Sequence, residues 1–145
     1  MDKLVEKYSK DLFNVILKAK STGNLIYICG NGGSATMSDH YAQDLVGKGY
    51  RAISLCISGS VTAIANDYGF DDVFYYQIKV LAKKDDVLIT MSCSGVSPNI
   101  LKAILQAENM GLKVFSLPTN MQTKLPTAYT QDIHLQIFHK VYQVL

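Results

Sequence analysis

Short apolar runs alternate with longer stretches of helical spacing along the whole chain. The clearest run is Leu25 to Cys29, which ends in Gly30-Asn31-Gly32-Gly33-Ser34. An uninterrupted apolar segment that stops at glycines reads as a strand buried on both faces, followed by a tight loop. Ahead of it, Asp2 to Lys20 carries Leu4, Tyr8, Leu12, Val15, Ile16 and Ala19 at helical spacing. Val5, Phe13 and Leu17 widen that stripe, so the helix is expected to pack against more than one neighbour. Gly23 marks its end. Behind the glycine loop, Ala35 to Val46 reads as a helix and Gly47-Lys48-Gly49 as a turn. Arg51 to Ile57 reads as a second buried strand. Ser58-Gly59-Ser60 leads into a short helix, Val61 to Ala65, stopped by Asn66-Asp67-Tyr68-Gly69. Asp71 to Lys83 is a further helix with Val73, Ile78, Leu81 and Ala82 inward. Val87 to Met91 is a third strand.

Ser92-Cys93-Ser94-Gly95-Val96-Ser97 forms a second polar loop, and Pro98 opens the helix Pro98 to Met110 at the position proline suits best. Gly111 is its expected C-cap. Lys113 to Leu117 is a fourth strand. Pro118 to Gln131 is polar and without period, and Ile133 to Leu145 returns to helical spacing. Strands alternating with helices predict a single α/β domain over 1–145: a doubly wound, three-layer α/β/α sandwich around a parallel sheet. In such a sheet ligands bind beyond the carboxyl ends of the strands, where both Gly/Ser loops fall.

Composition narrows the classes. The 145 residues are 48% hydrophobic and 18% charged, with a formal net charge of +2. That balance fits one globular core. There is no block of Lys and Arg to hold nucleic acid, and no apolar run of the ~20 residues a membrane span needs. The charged N-terminus is not a secretory leader. Cys29, Cys56 and Cys93 form no CxxC pair, which suggests reduced thiols in a cytoplasmic protein.

The glycine loop is suited to an anion. Glycines let backbone N–H groups approach it, Ser34 adds a hydroxyl, and the following helix presents its positive end. A purely structural tight turn is the alternative. Gly30 to Ala35 also matches G-x-G-x-x-A, but the dinucleotide fingerprint needs an acid at the end of the second strand. Cys56-Ile57-Ser58 supplies none, so no nucleotide cofactor is expected. A P-loop is excluded because no G-K-[ST] follows either loop. The second loop offers three hydroxyls and a helix N-terminus, for an anion or for its own capping. His40 and Asp44, at i and i+4, converge on one point as base, acid or metal ligands, or form a solvated surface pair. His134 and His139 read first as packing or surface residues.

With both loops placed, the chain resembles the SIS (sugar isomerase) domain, and within it the phosphoheptose isomerase branch. GNGGSA at 30–35, HYAQDLVG from His40, TAIANDYGFDDVF at 62–74, DDVLITMSCSGVSPNILKAI at 85–104 and QIFHKV at 136–141 carry the resemblance. It implies a flavodoxin-like fold and isomerisation of sedoheptulose 7-phosphate to an aldose for surface polysaccharide. It implies that Asn31, Gly32, Gly33, Ser34, Ser92, Cys93, Ser94 and Ser97 line the sugar phosphate, with Asn66, Asp67 and Gln136 as further contacts. The chemistry is proton transfer between adjacent carbons through an enediol. The family uses a helix glutamate and a C-terminal-helix histidine, which form a zinc site with a second histidine and a glutamine.

The expected set here is His40, Asp44 and Gln136, both for catalysis and for zinc. Asp44 stands where the family has glutamate, and Val144, eight residues after Gln136, where it has histidine. His139 lies five residues before Val144 and is not the expected substitute. The alternative reading is a non-catalytic sugar-phosphate-binding or scaffold protein. The wide stripe of the first helix and the family habit of building sites between subunits predict a homo-oligomer, dimer or tetramer, with helix 2–20 in the interface.

Overall fold

The computed structural model describes all residues, 1–145. Its elements are α1 (Asp2–Thr22), β1 (Ile26–Gly30), α2 (Gly33–Gly47), β2 (Ala52–Ser54), α3 (Ser58–Tyr68), α4 (Tyr75–Leu81), β3 (Val87–Met91), α5 (Pro98–Asn109), β4 (Lys113–Ser116), α6 (Asn120–Thr123) and α7 (Thr127–Val144). The four strands form one parallel sheet in the order β2-β1-β3-β4. This is the predicted doubly wound α/β sandwich.

The sheet divides the core by strand alternation. Ile26, Ile28, Val87, Ile89 and Met91 face the layer of α1, α2 and α7, where Leu12, Ile16, Tyr41, Ile137 and Phe138 are buried. Tyr27, Cys29 and Leu88 face the other layer, with Val73, Ile78, Ile100 and Ala103. β1 and β3 are central and buried at every position. That accounts for their unbroken apolar sequences.

Several boundaries differ from the sequence reading. The second strand is not seven residues long but three, because it lies at the sheet edge. Ser54 turns its hydroxyl to Asp39 at 2.5 Å and takes the Cys56 N–H at 3.1 Å, which ends the ladder. α2 begins at Gly33, so Gly33 and Ser34 are its first turn rather than loop. α3 takes in Ser58-Gly59-Ser60 at one end and Asn66-Asp67-Tyr68 at the other, and Gly69 alone stops it, at φ 106°.

The helix expected over 71–83 is a 3-10 turn, Phe70–Asp72, followed by α4. Leu81, expected inward, is 51% exposed. Ala82 is already extended and the Lys83 N–H goes to Asp86 at 2.8 Å, which closes the helix early. The polar stretch 118–131 holds α6, opened by a Thr119–Gln122 capping box, and the first turn of α7. Pro126 launches α7 six residues before the apolar period becomes visible.

Candidate functional site

The strand order reverses between β1 and β3, with β2 on one side and β4 on the other. Doubly wound sheets open their crevice at this point, because the loops leaving the two strands go to opposite faces. The Gly30 and Met91 ends stand side by side in register. Residues 31–34 and 92–97 leave from them. The sequence therefore delivers both candidate loops to one place.

Two side-chain contacts tie the loops together. Asn31 and Asn99 exchange amide hydrogen bonds at 2.9 and 2.8 Å. The Ser34 hydroxyl lies against the Cys93 thiol; burial pushes that thiol up, and the hydroxyl partly opposes the shift. Ser34 and Cys93 are buried, whereas Gly32, Gly33 and Ser94 are exposed. The Ser92 hydroxyl accepts from Gly95 N–H at 3.1 Å, the Ser94 hydroxyl accepts from Val96 N–H at 3.2 Å, and the Ser94 and Ser97 hydroxyls are 3.4 Å apart. Neither α2 nor α5 has a side-chain cap. Uncapped N–H groups and two helix dipoles therefore converge on the crevice, an arrangement that favours an anion.

Glycine is required here for space as well as for backbone angle. A Cβ on Gly30 would lie 2.6 Å from Ser34 Cβ. One on Gly95, at φ 73°, would lie 2.8 Å from Thr119 Cγ2. A larger residue at either place must therefore displace its neighbour.

His40 Nε2 and Asp44 Oδ2 are 3.3 Å apart on α2, with His40 half-exposed. Tyr41 packs inward between them in sequence, stacked on Phe138 of α7 with centroids 3.5 Å apart. Burial, and then the Asp44 charge, raise its phenol well beyond the ordinary value.

Gln136 does not join this pair within the chain. It lies in a groove between α1 and α7, with Asp2, Lys3, Glu6 and His139. The glutamine on the α2 side of α7 is Gln131, whose amide would lie 3.1 Å from a Cβ on Gly33. His139 is eight residues further on, and its ring meets Tyr41 edge-on at 6.5 Å. His40 meets the same Tyr41 ring at 5.5 Å, so the two histidines flank it. The reason is the helical frame: a shift of five residues turns a helix by about 140°, from the α2 side to the α1 side. The glutamine–histidine spacing in the sequence was the signal that could have found Gln131 and His139. Asn99 lies within the 85–104 segment that carries the resemblance, whereas Thr119 has no such signal, because only tertiary contact brings it to Gly95.

Asn66 and Asp67 are exposed on α3 and bond to each other at 3.2 Å, with no hydrogen bond to either loop. His134 is fully buried. Its Nε2 donates to the Pro118 carbonyl at 2.7 Å, its Nδ1 has no partner, and burial lowers its pKa.

Imidazole and carboxylate suit zinc. No group of three or more His, Cys, Asp or Glu side chains gathers closely enough to hold a metal ion, however, and Gln136 faces away from His40 and Asp44. The residues of one chain do not fit the expected zinc set. No helix is long and apolar enough to cross a membrane.

The SIS-domain family model matches residues 6–118. The phosphoheptose isomerase of Helicobacter pylori strain P12 is 42% identical over 93% of this chain and 81% of its own length. That of Aliarcobacter butzleri strain RM4018 is 34% identical over 100% of this chain and 85% of its own. Among solved structures, phosphoheptose isomerase GmhA from Neisseria gonorrhoeae superposes with a TM-score of 0.90 at 28% identity, covering 99% of this chain and 87% of that one. The reversal point of the sheet, its two glycine- and serine-built loops and these likenesses agree, and the chain belongs to the SIS-domain family, among the phosphoheptose isomerases.

Proposed function

We propose that this protein isomerises a ketose phosphate of the sedoheptulose 7-phosphate type to the corresponding aldose phosphate. The observation that carries the reading is the meeting of two loops, 31–34 and 92–97, at two uncapped helix N-termini, with the His40–Asp44 pair further along α2. A phosphate group supplies the negative charge those termini favour. Asn31, Gly32, Gly33, Ser34, Ser92, Cys93, Ser94 and Ser97 are its proposed surroundings. Asn66 and Asp67, on the exposed helix after β2, are proposed to meet the far end of the sugar.

The reaction needs one base and one acid. The base takes a proton from C1 while the C2 oxygen is protonated, which gives an enediol. The C1 hydroxyl then loses its proton as C2 regains one, which leaves the aldose. We assign the base to Asp44, oriented by His40, and the opposite proton transfer to His139. Gln131, against the Gly33 loop, is the amide that steadies the developing oxyanion. Gln131 and His139 thus take the places that the sequence reading gave to Gln136 and Val144. Their eight-residue spacing, the Gln131 amide beside Gly33 and the edge contact of His139 with Tyr41 support this.

The protein is further proposed to be a single-domain homo-oligomer, dimer or tetramer, with α1 in the interface. Leu17, part of the apolar stripe of α1, is 40% exposed, and α3 buries no residue of its own. Light scattering at micromolar concentration is expected to give a dimer or tetramer, and a monomer refutes this. Sedoheptulose 7-phosphate is expected to raise Tm and to yield aldose product in the same sample. A rise in Tm without product overturns the isomerase reading in favour of a binding protein.

A further inference from the structure

Asn99 has no role in the chemistry above, yet it is tightly constrained. It is the second residue of α5 and 2% exposed. Its Nδ2 donates to Asn31 Oδ1 at 2.8 Å, and its Oδ1 accepts from Asn31 Nδ2 at 2.9 Å. Two opposed hydrogen bonds between planar amides close a ring, which fixes the rotation of both side chains. Each amide has two N–H groups and an oxygen with two lone pairs, so the ring uses half of each. Half-buried Asn31 keeps one N–H and one lone pair, and the ring dictates where they point. The Asn31 carbonyl also accepts the Ser34 N–H at 3.0 Å. The pair therefore spans from the amino end of α2 to that of α5, just beyond the last bonded register of β1 and β3.

We propose that Asn99 is a positioning residue of the sugar-phosphate site, holding Asn31 and the two loops at the spacing and orientation the ligand needs. The proposal rests on the sugar-phosphate reading of that site. A neutral partner is what the place demands. A carboxylate at 99 would accept from Asn31 but leave Asn31 Oδ1 facing an oxygen, with a negative charge beside a bound phosphate. Once protonated, the same carboxyl regains a donor and closes the ring again.

The test uses the full chain as wild type, Asn99→Leu and Asn99→Asp, with sedoheptulose 7-phosphate and inorganic phosphate as probes. Dissociation constants come from calorimetry, KM and kcat from turnover, and melting curves confirm folding. Asn99→Leu is expected to raise Kd and KM about tenfold, as loss of a buried amide pair does. Asn99→Asp is expected to lose more at about pH 8 and to approach wild type as pH falls toward about 5, read as the ratio to wild type at each pH. If Asn99→Leu does not fold, the pH course of Asn99→Asp decides alone. Wild-type affinity in both variants, or a loss in Asn99→Asp that does not change with pH, overturns the proposal while the sugar-phosphate reading stands. Failure of wild type to bind either probe overturns that reading, and the proposal with it.

Discussion

Gly30→Ala is a one-carbon change at the root of the glycine loop. Gly30 is not among the residues of positive φ, so its backbone suits alanine. Space decides instead. The new Cβ would lie 2.6 Å from Ser34 Cβ and 2.9 Å from the Ser34 carbonyl carbon and oxygen, where ordinary contact begins at 3.4 Å. About 0.8 Å must be found, and two of the three atoms are backbone. Ser34 has little freedom to yield. It is 3% exposed, its N–H is bonded to the Asn31 carbonyl at 3.0 Å, and its carbonyl accepts from the Ser38 hydroxyl at 2.8 Å. The amino end of α2 must therefore move away from β1.

Overpacking of this kind costs about 1–3 kcal/mol, or roughly 3–9 °C in Tm at about 3 °C per kcal/mol for a chain of this size. The functional effect is expected to be larger in proportion, because a ~1 Å misplacement of a positioned group can cost about 100-fold in rate. Scanning calorimetry and kcat/KM on sedoheptulose 7-phosphate read the two effects. Gly59→Ala is the control, since nothing lies within 4 Å of its Cβ on α3. It is expected to be neutral or to gain up to about 1 kcal/mol from helix propensity. If Gly30→Ala melts and turns over like wild type, the claim that space selects glycine there is wrong.

Other perturbations read other parts of the molecule. Asp86 is 5% exposed and accepts from Leu25 N–H at 3.0 Å, Asn24 Nδ2 at 3.2 Å and Lys83 N–H at 2.8 Å. Asp86→Ala leaves two backbone donors without an acceptor and is expected to cost about 2–5 kcal/mol in urea unfolding; a loss under ~1 kcal/mol refutes that role. Asp44→Asn and His139→Ala are expected to lower kcat at least ~100-fold with unchanged melting, since both side chains reach the surface. Equal kcat in His139→Ala would remove it from the mechanism. His134 takes up its proton less readily folded than unfolded, because burial lowers its pKa from 6.5. The unfolded chain thus binds more protons below that value, so stability is full above about pH 6.5 and declines as pH falls toward the folded pKa. Melting from about pH 7.5 to about pH 5.5 is expected to show this decline, reduced in His134→Gln; an equal decline in both places its source elsewhere.

The parts of the site legible in the sequence are those built by local rules. Leu25 to Gly33 announces a buried strand and its loop, because a central parallel strand needs apolar side chains on both faces and the close approach of α2 needs glycine. Pro98 fixes the start of α5 to the residue, because its ring suits only the first helical turn. Edge position is not local. Arg51 to Ile57 is as apolar as a central strand, yet β2 keeps only Ala52–Ser54, since its outer side has no neighbour to pair with and Ser54 bonds to Asp39 instead.

The C-terminal helix shows the same limit at the level of function. Of its three glutamines, Gln131 and Gln136 each have a residue eight positions later that could be compared with a catalytic histidine. Periodicity from Ile133 onward suggests that the helix starts there, which leaves Gln131 in a loop and makes Gln136 the natural choice. Pro126, as N-cap, carries the helix back to Thr127 and brings Gln131 onto it. On that longer helix Gln131 and Phe138 face α2, Gln136 and Lys140 face α1 with Lys140 paired with Glu6, and His139 lies between the two sides, edge-on to Tyr41 and bordering the α1–α7 groove. A helix start hidden in a polar stretch is therefore enough to exchange which glutamine addresses the phosphate loops. Swapping the two tests the point: Gln131→Ala is expected to lower turnover at least ~10-fold and Gln136→Ala to leave kcat within about twofold while weakening the α1–α7 contact. The reverse order of effects would return the site to Gln136.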